Sequence, residues 1–193
     1  AGGFANYTRY NDFLAGNSAF LPDNGSMFPL GEFTLAASQA SITFDNIPQT
    51  YTHLQLRYFA RAGGSATSGE NIYLRLNGNS TASNYARHDL AGTGSSVISQ
   101  GGGNSDFYPS MTGGGQLSNV YTAGIIDILD YRNTNKNRVM RILNGYDVNG
   151  TGGWISINSM LYLSTTAVTS IFMSNWANSF AANSNFALYG ILA

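Results

Sequence analysis

The feature that most constrains this chain is its alternation. In YTHLQLRYFARA (51–62), Leu54, Leu56, Tyr58, Ala60 and Ala62 recur at every second position, with His53, Gln55, Arg57, Phe59 and Arg61 between them. A period of two places the sets on opposite faces of a β-strand, which marks a half-buried strand. NIYLRLN (71–77) repeats it with Ile72, Leu74 and Leu76, and SITFDNI (41–47) with Ile42 and Phe44. WISINSMLYL (154–163) sends Ile155, Ile157, Ser159, Leu161 and Leu163 to one side. AGIIDILDY (123–131) is apolar on both faces, the pattern of a central strand, and VTSIFMS (168–174) and FALYGIL (186–192) complete the set.

Between these runs stand turn signals, among them Asn77-Gly78, Asn144-Gly145 and Asn149-Gly150. No stretch keeps a capped helical period. Eight to ten strands without covering helices predict an all-β fold with a closed or double-layered antiparallel sheet. An antiparallel jelly-roll-like β-sandwich is the first expectation, with an immunoglobulin-type sandwich the alternative.

Composition narrows the partners. Charged residues make up 10% of the 193, with a formal net charge of −1. One lysine, Lys136, and dispersed arginines offer no cationic patch for nucleic acid or an anionic membrane. Gly, Asn, Ser and Thr supply about two residues in five, so solubility rests on neutral polar groups. Little long-range repulsion then keeps copies apart. Cysteine is absent, which excludes disulfides and thiolate metal sites. No apolar run approaches membrane-spanning length, and the N-terminal residues lack the pattern of a signal peptide.

Two segments depart from the alternation. Residues 1–30 carry Phe4, Tyr7, Tyr10, Phe13, Phe20 and Phe28 at irregular spacing, as expected of an arm lying along a neighbour or over its own domain. The domain itself is expected over 31–193. AGTGSSVISQGGGNSDFYPSMTGGGQ (91–116) reads as a long contact loop presenting Phe107, Tyr108 and Met111.

Candidate chemistry is sparse. NYARHDLAG (84–92) holds one of two histidines beside an aspartate. On a strand, His88 lies with Ala86 and Leu90 while Asp89 lies with Tyr85 and Arg87, so the neighbours cannot form a catalytic dyad. His88 is then a hydrogen-bonded residue at the core's edge. No G-x-S-x-G elbow supplies a nucleophile. Asp127, inside an apolar run, is expected to meet an arginine such as Arg141. DVNGTGG (147–153) resembles the start of a calcium loop, yet its twelfth position is Asn158 and not a bidentate glutamate, so a hairpin turn is the simpler reading. No catalytic residue, metal site or cofactor is assigned. Trp154, Trp176 and twelve tyrosines leave carbohydrate binding open as a secondary activity.

FDNIPQTYTHLQLR (44–57), LRLNGNSTASNYARHDLAG (74–92), IIDILDYRNTNKNRVMRILNGYDVNGTGG (125–153) and the closing FALYGILA resemble β-sandwich virion structural proteins of tailed bacteriophages of cyanobacteria and other marine hosts. The resemblance implies a non-enzymatic virion component whose Asn84, Tyr85 and His88 are structural. A capsid decoration, cement or surface protein is the first expectation. It would partner copies of itself and other virion proteins through arm and loops. A tail-fibre or receptor-binding module contacting host glycans is the alternative, and a β-sandwich glycan hydrolase, which needs two working carboxylates, is the third.

Overall fold

The structure, a computed structural model, describes residues 26–150 and 152–192, with Phe107 and Tyr108 described by their backbone. Twelve strands follow in chain order: β1 (Met27–Thr34), β2 (Ser41–Phe44), β3 (His53–Ala60), β4 (Glu70–Leu76), β5 (Tyr85–Gly92), β6 (Val97–Gly103), β7 (Phe107–Met111), β8 (Thr122–Ile128), β9 (Arg138–Asp147), β10 (Gly153–Tyr162), β11 (Ile171–Asn175) and β12 (Asn185–Ile191). The helical content among the described residues is one 3-10 turn, Ala82–Asn84. All pairings between named strands are antiparallel, in an eight-stranded sheet ordered β1-β12-β3-β8-β9-β10-β5-β6 and a four-stranded sheet ordered β2-β11-β4-β7.

This order contains a jelly roll. With β5, β6, β9 and β10 set aside, two four-stranded sheets remain, β1-β12-β3-β8 and β2-β11-β4-β7. Their chain order switches sheets at every connection except β4 to β7, which pair within the small sheet, as a double Greek key requires. The four remaining strands are two hairpins that extend the first sheet past β8. The predicted sandwich is therefore present, with an extension that alternation alone does not reveal.

The core forms where the two sheets face each other. Leu54, Leu56, Tyr58 and Ala60 of β3 are buried together with Ile72, Leu74 and Leu76 of β4, as their spacing predicts. Phe180 and Phe186 meet edge-on at 4.8 Å, the arrangement aromatic quadrupoles favour. Gly124 on β8 lies under the Tyr58 ring, and a Cβ there would stand 2.1 Å from it.

Two segment boundaries differ from expectation. β1 begins at Met27 and pairs with β12, so residues 27–30 belong to the sheet and not to an arm. Phe28 stacks at a tilt on Tyr51, 5.6 Å away. The expected loop over 91–116 is largely strand: β6 extends the large sheet beside β5, and β7 closes the small sheet beside β4. Serine and glycine there do not break pairing, because an edge strand needs few side-chain contacts to stay in the ladder.

Buried arginines hold the longer connections. Arg61 donates from its guanidinium to the carbonyls of Gly114, Gln116, Leu117 and Val120 at 2.6–2.9 Å. Arg138, 1% exposed, donates to the carbonyls of Tyr131, Asn133, Lys136, Thr165 and Thr166. Each planar fork satisfies backbone acceptors that a loop otherwise presents to water.

Candidate functional site

The extension reverses the usual polarity of a sheet. One inner row runs Leu56, Ile126, Ile142, Asn158, Asp89 across β3, β8, β9, β10 and β5. The outer row beside it runs Arg57, Ile125, Leu143, Ile157, Leu90. Going outward from the jelly roll, the inner face turns from apolar to polar and the outer face from polar to apolar. The outer side chains are open to solvent: Leu143 is 48% exposed, Leu90 54%, Ile157 55% and Ile155 62%. The residues that WISINSMLYL places on one side do share a face, and it is the outer one.

The inner face of the extension is a hydrogen-bonded lattice. Asp89, 4% exposed, pairs with Arg87, whose Nε also donates to Ser105 Oγ at 2.8 Å. Asn158 Nδ2 donates to Asp89 Oδ1 at 3.3 Å. Ser156 Oγ donates to Asn144 Oδ1 at 2.6 Å, Asn144 Nδ2 to the Ser110 carbonyl at 2.8 Å, and Ser110 Oγ to Asn71 Oδ1 at 3.1 Å. Buried polar groups persist when paired in this way.

Beside the apolar outer row lies a polar one. Gln55, Asp127, Arg141, Ser159 and His88 align across five strands. Arg141 donates to Asp127 Oδ2 and Gln55 to Asp127 Oδ1, each at 2.8 Å, and Arg57 Nε donates to Gln55 Oε1 at 2.9 Å. The predicted Asp127–Arg141 pair is thus formed, on the outer surface.

The other expected site residues divide. Tyr85 is structural: it is fully buried, accepts from the Leu76 N–H and donates to the Asn79 carbonyl, both at 3.0 Å, and stacks on Tyr162. Burial pushes its phenol well above the ordinary range. His88 and Asp89 do point to opposite faces, but the reading of His88 as a core-edge residue does not hold. It is exposed on the outer face, where its ring covers Gly101 of β6, and the absent Cβ makes room for it. Period two separates His88 from Asp89 without saying which side is inside. Met111, expected at an interface, is fully buried in the core. Phe4, Tyr7, Tyr10, Phe13 and Phe20 lie outside the described residues, as do the side chains of Phe107 and Tyr108.

At one end of the sandwich the 62–69 connection, the 113–117 connection and the β9–β10 hairpin enclose an open cleft of about 860 Å³. Thr67, Ser68, Asn71, Gln116, Tyr146 and Trp154 supply its polar and aromatic lining, and no charged residue among the described ones contributes. Burial raises the Tyr146 phenol's pKa, with a hydrogen bond from Gln116 pulling the other way. The hairpin itself is the turn expected of DVNGTGG: Asp147 Oδ1 accepts from the Gly150 N–H at 2.9 Å, and Asn149 and Gly150 take positive φ. Among the described residues no group of three His, Asp or Glu stands together to hold a metal ion. The buried carboxylates are each engaged, Asp89 by Arg87, Asp106 by Arg75 and Glu70 by the Asn178 amide.

No family profile matches the chain, and no curated protein matches it. Among solved structures, Scytalido-glutamic peptidase bound to a peptide-based transition-state analogue aligns with a TM-score of 0.23 and 9% identity, over 81% of this chain and 66% of that one. A likeness that weak carries no argument about fold or activity.

Proposed function

We propose that this chain is a non-enzymatic structural protein of a tailed-phage particle, a capsid decoration, cement or surface subunit, which associates with further copies through the outer face of β8, β9, β10 and β5. The observation that carries the reading is the polarity reversal: four strands turn aliphatic side chains to solvent, while Asn144, Ser156, Asn158 and Asp89 lie buried on the other face of β9, β10 and β5. Contiguous apolar surface of this kind marks an interaction site.

The face suits a second copy. Strands ~4.8 Å apart and about nine residues long give these four an outer area of roughly 550 Å², and the neighbouring strands of the same sheet extend it to the roughly 800 Å² of one side of a standard interface. Its charged residues are Glu32, Asp127 and Asp147 against Arg57 and Arg141, a net charge of −1, so two copies meeting about a twofold axis face little repulsion. The sequence resemblance to virion proteins supports the particle assignment. A tail-fibre or receptor-binding module is the second reading, and the uncharged aromatic cleft is the observation in its favour.

Sedimentation equilibrium of the full chain tests the association. Wild type should oligomerise at micromolar concentration in high salt, and Leu143→Glu with Ile157→Glu should sediment as a folded monomer. A wild-type monomer throughout that range would reject the interface. Immunogold labelling of particles, on heads or on tails, separates the two particle readings.

A further inference from the structure

We propose that the end cleft between the 62–69 connection, the 113–117 connection and the β9–β10 hairpin is a binding site for neutral glycans. The inference does not depend on whether the sheet face associates.

The lining selects the ligand class. A site for phosphate, sulfate or an acidic sugar needs a cation or an array of backbone N–H groups at a helix start. Among the described residues this cleft has no charged side chain, and the molecule has no helix beyond one 3-10 turn. What it offers is the indole of Trp154, the phenol of Tyr146 and the amides and hydroxyls of Asn71, Gln116, Thr67 and Ser68. Pyranose rings present an apolar C–H face and an equatorial fringe of hydroxyls. Aromatic faces cover the first, and neutral donors and acceptors pair with the second without the desolvation cost of a charge. A wholly apolar ligand would strand those amides.

The cleft is also held in shape before any ligand arrives. Gly113, Gly114 and Gly115 run so close to the 64–68 backbone that a Cβ on Gly114 would stand 1.8 Å from the Gly64 carbonyl oxygen. Arg61 fastens the same segment from below through four carbonyls. Gln116 is oriented by accepting from the Gly113 N–H at 2.8 Å. Asn71 is oriented by Ser110, which occupies its Oδ1 and leaves the Nδ2 donors without a partner among the described residues. Trp154 Nε1 is covered by protein, so the indole offers the cleft its ring and not its N–H. Rigid walls lower the ordering cost of binding, which matters for weakly bound sugars.

The test is a glycan array probed with the full chain, followed by titration of the best neutral oligosaccharide on the array. Trp176→Phe leaves Trp154 as the sole tryptophan, so quenching or a blue shift in that variant reports on the cleft itself. Binding of one or more uncharged oligosaccharides is expected, unchanged between low and high salt. Asn71→Ala should weaken it by roughly tenfold, the effect of losing one good hydrogen bond. Ser68→Trp, a change at an exposed position, should block the cleft without disturbing the fold, as circular dichroism and melting would verify. No neutral glycan bound, binding confined to charged glycans, or affinity untouched by both Asn71→Ala and Ser68→Trp would each overturn the proposal.

Discussion

Ile157 and Asn158 are neighbours on β10 and point to opposite faces, and it is the isoleucine, 55% exposed, that meets solvent while the asparagine, 1% exposed, lies inside. Asn158→Ala should therefore be the more damaging change. It leaves Asp89 short of a donor, at an expected cost of about 1–3 kcal/mol. Ile157→Ser should shift monomer stability by about 0.5 kcal/mol or less. Urea denaturation of both variants decides, and the reverse ranking would show the extension to be assigned inside out.

Arg61→Met should destabilise locally before it destabilises globally. Four carbonyls lose one donor group, and methionine fills the volume without replacing any bond. A loss of about 2–4 kcal/mol is expected, with new protease cleavage within 113–120. Arg61→Lys should rescue little, because a single ammonium cannot span the positions a planar fork reaches. Wild-type protease resistance in Arg61→Met would remove the clamp.

Two buried tyrosines should respond in opposite senses to loss of the hydroxyl. Tyr58 Oη is buried with no partner among the described residues, so Tyr58→Phe should stabilise by about 1 kcal/mol. Tyr85→Phe strands the Leu76 N–H and should cost about 1–2 kcal/mol. Thermal melts of the pair at neutral pH are the measurement.

The same Tyr58 predicts an alkaline limb. Burial raises its pKa well above the ordinary value of 10.0. A folded-state pKa above the unfolded one favours the neutral phenol, so this contribution is complete below about pH 10 and declines as pH rises toward the folded value. Stability of wild type measured from pH 8 to 11 should fall more steeply than that of Tyr58→Phe. Parallel curves would mean that Tyr58 does not titrate with unfolding.

Calcium should leave the protein unchanged. Asp147 already accepts the Gly150 N–H within the hairpin turn. Melting temperature in millimolar calcium and in chelator should agree, and a rise with calcium would reopen the loop as a cation site.

The jelly roll was legible because its strands bury their apolar sides. Leu54, Leu56 and Leu74 alternate and point inward, and Asp127 found the arginine that an apolar run around it demanded. The extension was not legible for the same physical reason. Alternation reports which residues share a face, and only the covering layer decides which face is inside. On β10 and β5 the buried face meets polar partners beside Tyr85 and Met160, with Asn158 on Asp89 and Ser156 on Asn144, so polar side chains face inward there and His88 falls outside with Leu90. The cleft was hidden by distance in sequence: Asn71, Gln116 and Trp154 converge from separate connections. A hint lay in GGG at 113–115, whose missing side chains signal a close backbone approach.

The polar lattice inside the extension has a consequence for alignment. Sliding β10 along β5 by two residues keeps every side chain on its present side of the sheet, so burial alone is indifferent to the slip. Hydrogen bonding is not. With Asn158 displaced by two positions, Asp89 would face Ser156 or Met160 across the ladder. The asparagine and serine teeth therefore work as a vernier. They fix to a single residue where the added hairpins stop against the jelly roll, and with them the spacing of every group those hairpins carry to the cleft and to the outer face.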